Sequence, residues 1–258
     1  MREVVIVKVD VSAKTAQKVK DYVAEEKPLS IFIDKTQHAT IYCSPTNLNE
    51  LAVGHLLAEG IIKSIEEVES IDFKEKNICY VKLKPNIAFE KRLKLSQHFS
   101  RIILSACGGP YQPSKRLPKI KSNLKVKAET ILDCVRNLNF MAETFRKTGG
   151  THAAAIYRSD GNLVAFAEDV GRHNAVDKVI GSGALKKIDF GDCFLALSGR
   201  LTGDIVFKAA KVGLPIVASL AAALDSGIAV AKDADLTLIG FVRGKRMNIY
   251  NFPERILS

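Results

Sequence analysis

Apolar and polar positions alternate at the start of the chain, in "VVIVKVD". They do so again through "LSIFIDKTQHATIYC" (29–43), where β-branched and aromatic residues concentrate. A period of two predicts strands. The period then changes. In "NLNELAVGHLLAEGII" (47–62) Leu48, Leu51, Ala52, His55 and Leu56 share one helical face, Asn47 stands in a capping position with Glu50 three residues on, and Gly60 closes the end. "ESIDFKEKNICYVKLK" (69–84) returns to strand pattern with a turn near 74–77, and "SRIILSA" (100–106) is a short strand leading to Cys107. Residues 1–106 thus predict a smaller N-terminal α+β domain.

Residues 107–127 hold Pro110, Pro113 and Pro118, Gly108 and Gly109, and a run of lysines and arginines, the composition of a loop or linker. From 128 to 258 a second domain is expected. "ETILDCVRNLNFMAETFRKTGG" (129–150) reads as one amphipathic helix, and "THAAAIYRSDGNLVAFAED" (151–169) as two strands around an Asp160–Gly161 turn. Helices over 172–182, 203–212 and 225–233 then alternate with apolar strands over 193–199, 214–220 and 236–242. Such alternation predicts an α/β fold with a largely parallel sheet covered on both faces. Ser198, Gly199, Ser219, Arg243 and Gly244 fall just past strand C-termini, where open α/β sheets bind ligands. Neither a P-loop nor GxGxxG is present.

Composition narrows the classes. Of 258 residues, 47% are hydrophobic and 26% charged, as in soluble globular proteins. The longest apolar run, "LPIVASLAAAL" (214–224), is too short to span a membrane, and no signal-peptide pattern opens the chain, so a cytoplasmic location is expected. The five cysteines, Cys43, Cys79, Cys107, Cys134 and Cys193, are odd in number and widely spaced, without CxxC. That argues against a disulfide framework or zinc ribbon and fits a reducing compartment; no protein-ligated metal is expected. The net charge of +10 would draw anions, and the basic residues concentrate at 82–127. Aromatic interleaving is sparse, so nucleic acid is not indicated. Solvated basic faces and anion recruitment both remain open.

Four clusters carry more polar chemistry than a fold requires. Cys107, in "LSACGGPYQ", precedes two glycines and stands near Lys115, Arg116 and Lys119, a setting that favours thiolate; a small inert residue beside a turn is the other reading. His152, in "TGGTHAA", is an acid–base group, a phosphate anchor or a hydrogen-bonded core histidine. In "AEDVGRHNAVDKVIG", Asp169 can cap a helix whose first turn carries Arg172 and His173, and cations at a helix N-terminus call for an anionic ligand. In "GFVRGKRMNIY" the run Arg243, Gly244, Lys245, Arg246 supplies a fork donor, a backbone open to approach and two more cations. It reads as a phosphate site or a solvated basic turn.

Taken together, these segments resemble the formate dehydrogenase accessory protein family, FdhD/NarQ. The resemblance covers most of the chain, from "SPTNLNELAVGHLLAEGII" through the Cys107 loop, "TGGTHAAAIY", "EDVGRHNAVDKVIG", "SGRLTGDIVFKAA" and "GLPIVASLAA" to "LTLIGFVRGKRMNIY". It implies a C-terminal three-layer α/β/α domain of cytidine-deaminase-like fold and a homodimer. It also implies a sulfur carrier in which Cys107 takes persulfide sulfur from a cysteine desulfurase. That sulfur passes to the molybdenum cofactor in its bis-guanine-dinucleotide form, bound as substrate, for a molybdenum or tungsten formate dehydrogenase. Phe241, Val242, Arg243, Gly244, Lys245 and Arg246 match the stretch that contacts the cofactor, and His152, Asp169, Arg172, His173, Asn174 and Ser198 would line the same crevice. The chain departs from the family in one place: the loop reads CGGP, with Pro110 where a second cysteine is common. A chaperone that delivers the cofactor without relaying sulfur is therefore the alternative. "THAAA" lacks the glutamate of HxE and PCxxC is absent, which weighs against a zinc deaminase.

Overall fold

The computed structural model describes residues 1–75, 77–85, 87, 92, 101–103 and 117–258, the stretch 101–103 by its backbone. Strands β1 (Arg2–Asp10) and β2 (Thr15–Val23) form an antiparallel hairpin that, among the described residues, pairs with no other strand. Next come β3 (Lys27–Ile33), β4 (Thr36–Cys43), helix α1 (Leu48–Ala58), β5 (Val68–Glu75), β6 (Ile78–Leu83) and β7 (Arg101–Ile103). Their strands make a five-stranded sheet in the order β5-β6-β3-β4-β7.

The C-terminal part runs β8 (Val126–Lys127), α2 (Ala128–Met141), α3 (Glu143–Thr148), β9 (His152–Arg158), β10 (Leu163–Asp169), α4 (Arg172–Leu185) and β11 (Cys193–Leu197). It continues through α5 (Gly203–Lys211), β12 (Ile216–Ser219), α6 (Asp225–Ala234), β13 (Thr237–Arg243), β14 (Arg246–Asn251) and β15 (Ile256–Leu257). The central sheet has six strands in the order β10-β9-β11-β12-β13-β14. Only β11, β12 and β13 are mutually parallel; the flanking strands are antiparallel. The sheet is therefore mixed, where the alternation of elements had predicted a largely parallel one, because the hairpins β9–β10 and β13–β14 close tightly at each end.

Strand parity sorts the core. Ala154, Ile156, Leu195, Leu197 and Leu238 face one buried cluster, while Ala153, Ala155, Tyr157, Phe194, Ala196 and Ile239 face another that α2 covers through Ile131, Val135 and Leu138. Both faces are dry, so both parities must be apolar, which is why these strands read as unbroken hydrophobic runs. The first cluster also takes in Leu29, Ile31 and Ile41 of the five-stranded sheet, Leu51 and Leu56 of α1, and Val176 and Ile180 of α4. One core thus joins residues before and after the 107–127 segment.

The seam between α1 and α4 is made at backbone distance. A Cβ on Gly54 would lie 1.7 Å from the Asp177 carbonyl oxygen, and one on Gly181 would lie 1.9 Å from that of Glu50. Only hydrogen fits at either position, so the two glycines fix how closely the helices cross.

Two local expectations change. Residues 129–150 form two helices broken at Ala142, because the Glu168 carboxylate, from β10, accepts the Thr144 and Phe145 N–H groups and starts a new helix there. Asn47 occupies the N-cap position of α1 in a left-handed conformation, and its side chain makes no capping hydrogen bond.

Candidate functional site

Because β11, β12 and β13 run parallel, their C-terminal ends share one edge of the sheet. The antiparallel register Leu197↔Ala154 and Asp169↔His152 brings the start of β9 and the end of β10 to the same edge. Helices α4, α5 and α6 all begin there, with their N–H ends and the positive ends of their dipoles.

Short hydroxyl bonds hold the edge together. Ser198 Oγ accepts the Ala153 N–H at 3.0 Å and lies 3.4 Å from His152 Nδ1. Ser219 Oγ donates to the Gly199 carbonyl at 2.6 Å and accepts the Ala221 N–H at 3.0 Å, and the Phe241 N–H reaches the Ala221 carbonyl at 2.9 Å. At Phe241 the backbone turns left-handed (φ 53), and the ladder to β14 shifts register between Gly240 and Arg243. Such a bulge re-aims the strand end. Val242 is buried and anchors it. Beyond, Arg243 pairs with Arg246 across a two-residue turn in which Gly244 has φ +61, a conformation suited to glycine. Arg243, Gly244, Lys245 and Arg246 are exposed, and the Arg243 guanidinium stands 5.0 Å from the Phe241 ring. Among the described residues none of these three cations, nor exposed Arg200 beside Gly199, makes an ion pair.

Behind the edge lies a second layer whose charges are consumed. Asp169 is fully buried. Its carboxylate accepts the Ser44 N–H at 3.0 Å, the Gly171 N–H at 2.9 Å and Asn174 Nδ2 at 2.9 Å, and lies 2.7 Å from Lys178 Nζ. Lys178, also fully buried, donates to the Ser44 and Glu168 carbonyls at 3.1 and 3.3 Å. Asn174 donates to the Tyr42 carbonyl at 2.9 Å. The cluster ties the turn entering α4 to the loop leaving β4. Burial pushes the Asp169 carboxyl up, and Lys178 pulls it back. Deeper in the seam, Lys208 Nζ donates to both oxygens of Asp177 at 2.8 Å, with His55 Nδ1 at 3.5 Å from Asp177 and Glu59 at 3.6 Å from Lys208. Burial works to lower Lys208, but Asp177 and Glu59 outweigh it and hold the ammonium above the usual lysine range.

His152 is half-buried and held below the ordinary histidine range, first by burial and then by Arg172. His173 is buried, with Nε2 3.7 Å from Asp204 Oδ2. Phe241, Arg243, Gly244, Lys245, Arg246, His152, Arg172 and Ser198 therefore stand at the rim. Asp169, Asn174, Val242 and His173 sit inside it and shape it. Cys107, Lys115 and Arg116 lie outside the described residues. The remaining cysteines are all buried. Burial pushes the thiols of Cys43 and Cys79 up to about 12 and that of Cys134 to about 11, and raises Cys193 as well. Burial thus favours the thiol over the nucleophilic thiolate in all four. Cys79 and Cys134 belong to different core clusters. No group of residues suited to hold a metal ion occurs among the described residues, and no helix there is long and apolar enough to cross a membrane.

The FdhD/NarQ family model matches residues 24–257. The chain belongs to the FdhD/NarQ family. It is 39% identical over 238 residues to the sulfur carrier protein FdhD of Sulfolobus acidocaldarius, covering 92% of this chain and 91% of that one. To the sulfur carrier protein FdhD of Methanothermobacter thermautotrophicus it is 37% identical over 93% of this chain and 94% of the relative. The fold is shared with a crystal structure described as a formate dehydrogenase accessory protein from Desulfotalea psychrophila, at a TM-score of 0.79 and 27% identity, covering 99% of each chain.

Sequence reasoning missed Ser44, Lys178, Lys208 and Arg200. Asp177 and Lys178 did leave a signal, since both interrupt the apolar stretch Ala175–Ile180 of a helix that is buried along most of its length. Arg200 left none beyond its place after a strand.

Proposed function

We propose that this chain is a sulfur carrier that matures formate dehydrogenase. Cys107 accepts sulfur from a cysteine desulfurase: its thiolate attacks the outer sulfur of the donor persulfide, the S–S bond breaks, and the donor leaves as thiolate. The persulfide on Cys107 then supplies sulfur to the molybdenum cofactor in its bis-guanine-dinucleotide form, bound as substrate. The chain acts in the cytoplasm as a homodimer and serves a molybdenum or tungsten formate dehydrogenase.

The observation that carries the reading is the sheet edge, where exposed Arg200, Arg243, Lys245 and Arg246 gather beside three helix N-termini. That surface suits a ligand with several phosphates. The relatives, named as sulfur carrier proteins, support the sulfur-carrying part. The four described cysteines are all buried, which supports Cys107 as the thiol to load. Incubation with a cysteine desulfurase and cysteine, followed by mass spectrometry, is expected to show one added sulfur on Cys107. An equal adduct on Cys107→Ala, or none on the native chain, rejects the reading.

Pro110, in the place of a second loop cysteine, favours a second reading, a chaperone that holds and delivers the cofactor without relaying sulfur. It predicts that Cys107→Ala still activates formate dehydrogenase while Arg243→Ala does not. Lost activation in Cys107→Ala with guanine-nucleotide binding retained rejects this alternative.

A further inference from the structure

The β1–β2 hairpin is the part of the molecule that the site does not use, and it is poorly covered. Val5, Val7 and Val9 are 70%, 58% and 63% exposed, all on one face of β1, and Val11 in the turn that follows is 84% exposed. No strand lies along the outer edge of β1 among the described residues. A two-stranded ribbon is marginal in water by itself, and an edge whose middle, Val4 to Val7, is apolar while its charges stand toward the ends invites another strand. The family match begins at residue 24, after the hairpin.

We propose that β1 pairs edge to edge, antiparallel, with β1 of a second copy, centred on Ile6. The register follows from two rules. Residues whose N–H and C=O point outward from an edge share one parity, so a symmetric antiparallel pair must join positions of equal parity. Among the registers this permits, centring on Val5 sets Arg2 opposite Lys8 of the second copy, a like-charge contact, and centring on Val7 leaves Arg2 without an opposite residue in the strand. Centring on Ile6 sets Arg2 opposite Asp10 at both ends, Val5 opposite Val7, and Val4 opposite Lys8. The two ends of "REVVIVKVD" are thus complementary in charge about its middle residue, while Glu3 falls opposite Val9. Equal parity also keeps Val5, Val7 and Val9 of both copies on one face, making a continuous apolar strip across a four-stranded sheet.

The proposal rests on the dimeric part of the reading above and is independent of sulfur transfer. Sedimentation velocity of the full chain is expected to show a species of twice the chain mass, and Arg2→Asp to weaken it roughly tenfold, since repulsion replaces attraction at two sites. In a Cys107→Ser background, Ile6→Cys is expected to form an intermolecular disulfide on mild oxidation. Opposed residues of antiparallel strands lie within the range a disulfide spans, whereas Val5→Cys would face its own copy across about 8 Å and stay reduced. These positions are exposed or half-buried, so the variants are expected to fold, with circular dichroism as the check. A dimer that ignores Arg2→Asp and leaves Ile6→Cys reduced overturns this surface but not the dimer. A monomer overturns both. Hairpin amides protected from exchange only when formate dehydrogenase is added would assign the edge to a client strand and overturn the proposal.

Discussion

The seam between α1 and α4 and the C-terminal edge of the central sheet are both rich in charge, and they use it in opposite ways. In the seam every ion has its counter-ion in the same protein: Asp169 with Lys178, Asp177 with Lys208. At the edge, Arg243, Lys245 and Arg246 face solvent with no ion pair among the described residues. Buried pairs add little net stability over an apolar contact, but breaking one leaves an unpaired charge in a dry place. Exposed cations do almost nothing for the fold and are free to meet an anion. The sequence offers Asp169, as a helix cap, and Arg243, past a strand end, as equal candidates; the structure buries one in an ion pair and leaves the other exposed.

That contrast can be broken most forcefully at Lys178. Lys178→Met is expected to cost roughly 3–5 kcal/mol, read as a large fall in Tm, because Asp169 is left charged and buried. The sign of its pH dependence follows. With its counter-ion gone, the Asp169 carboxyl is raised further, the folded state binds a proton more readily than the unfolded chain, and the loss shrinks as pH falls. Adding Asp169→Asn should recover much of it at neutral pH. A variant as stable as the native chain would show that the seam does not depend on the pair.

Gly181→Ala comes next. Its methyl group would meet the Glu50 carbonyl, so α1 and α4 must separate at a cost of about 3 kcal/mol, with thermal denaturation as the measurement. Retained stability there would mean that the seam is loose. At the edge the effects move from stability to binding. Arg243→Ala should weaken guanine-nucleotide affinity roughly tenfold by calorimetry, while stability changes by less than about 0.5 kcal/mol. The smallest effect is on His152, whose titration by NMR should fall below 6.5 and move up in Arg172→Ala. A base with a depressed folded pKa contributes stability above 6.5 that declines as pH falls through that value, where the unfolded chain protonates first. An unmoved His152 in Arg172→Ala would separate the two groups electrostatically.

Much of this was legible beforehand. The apolar runs at 193–197 and 237–242 announced strands buried on both faces, and Asp160–Gly161 announced the hairpin between β9 and β10. The basic run 243–246 could be placed at a strand end. The helix break at Ala142 could not, since Glu168, the residue responsible, lies on β10 and far along the chain. The polar strand β2 carried too little alternation to be read as one, and its pairing with β1 supplies what its composition lacks.

By itself, then, the sequence determined most of the elements, though not β2 or the helix break at Ala142, and the two-faced apolar core, because periodicity and turn chemistry act over a few residues. Tertiary structure alone decided which polar residues would be spent inside. Asp169 meets Ser44 and Asp177 meets Lys208 only when α1, α4 and α5 pack, and the free energy of a buried charge depends on partners that no local pattern records.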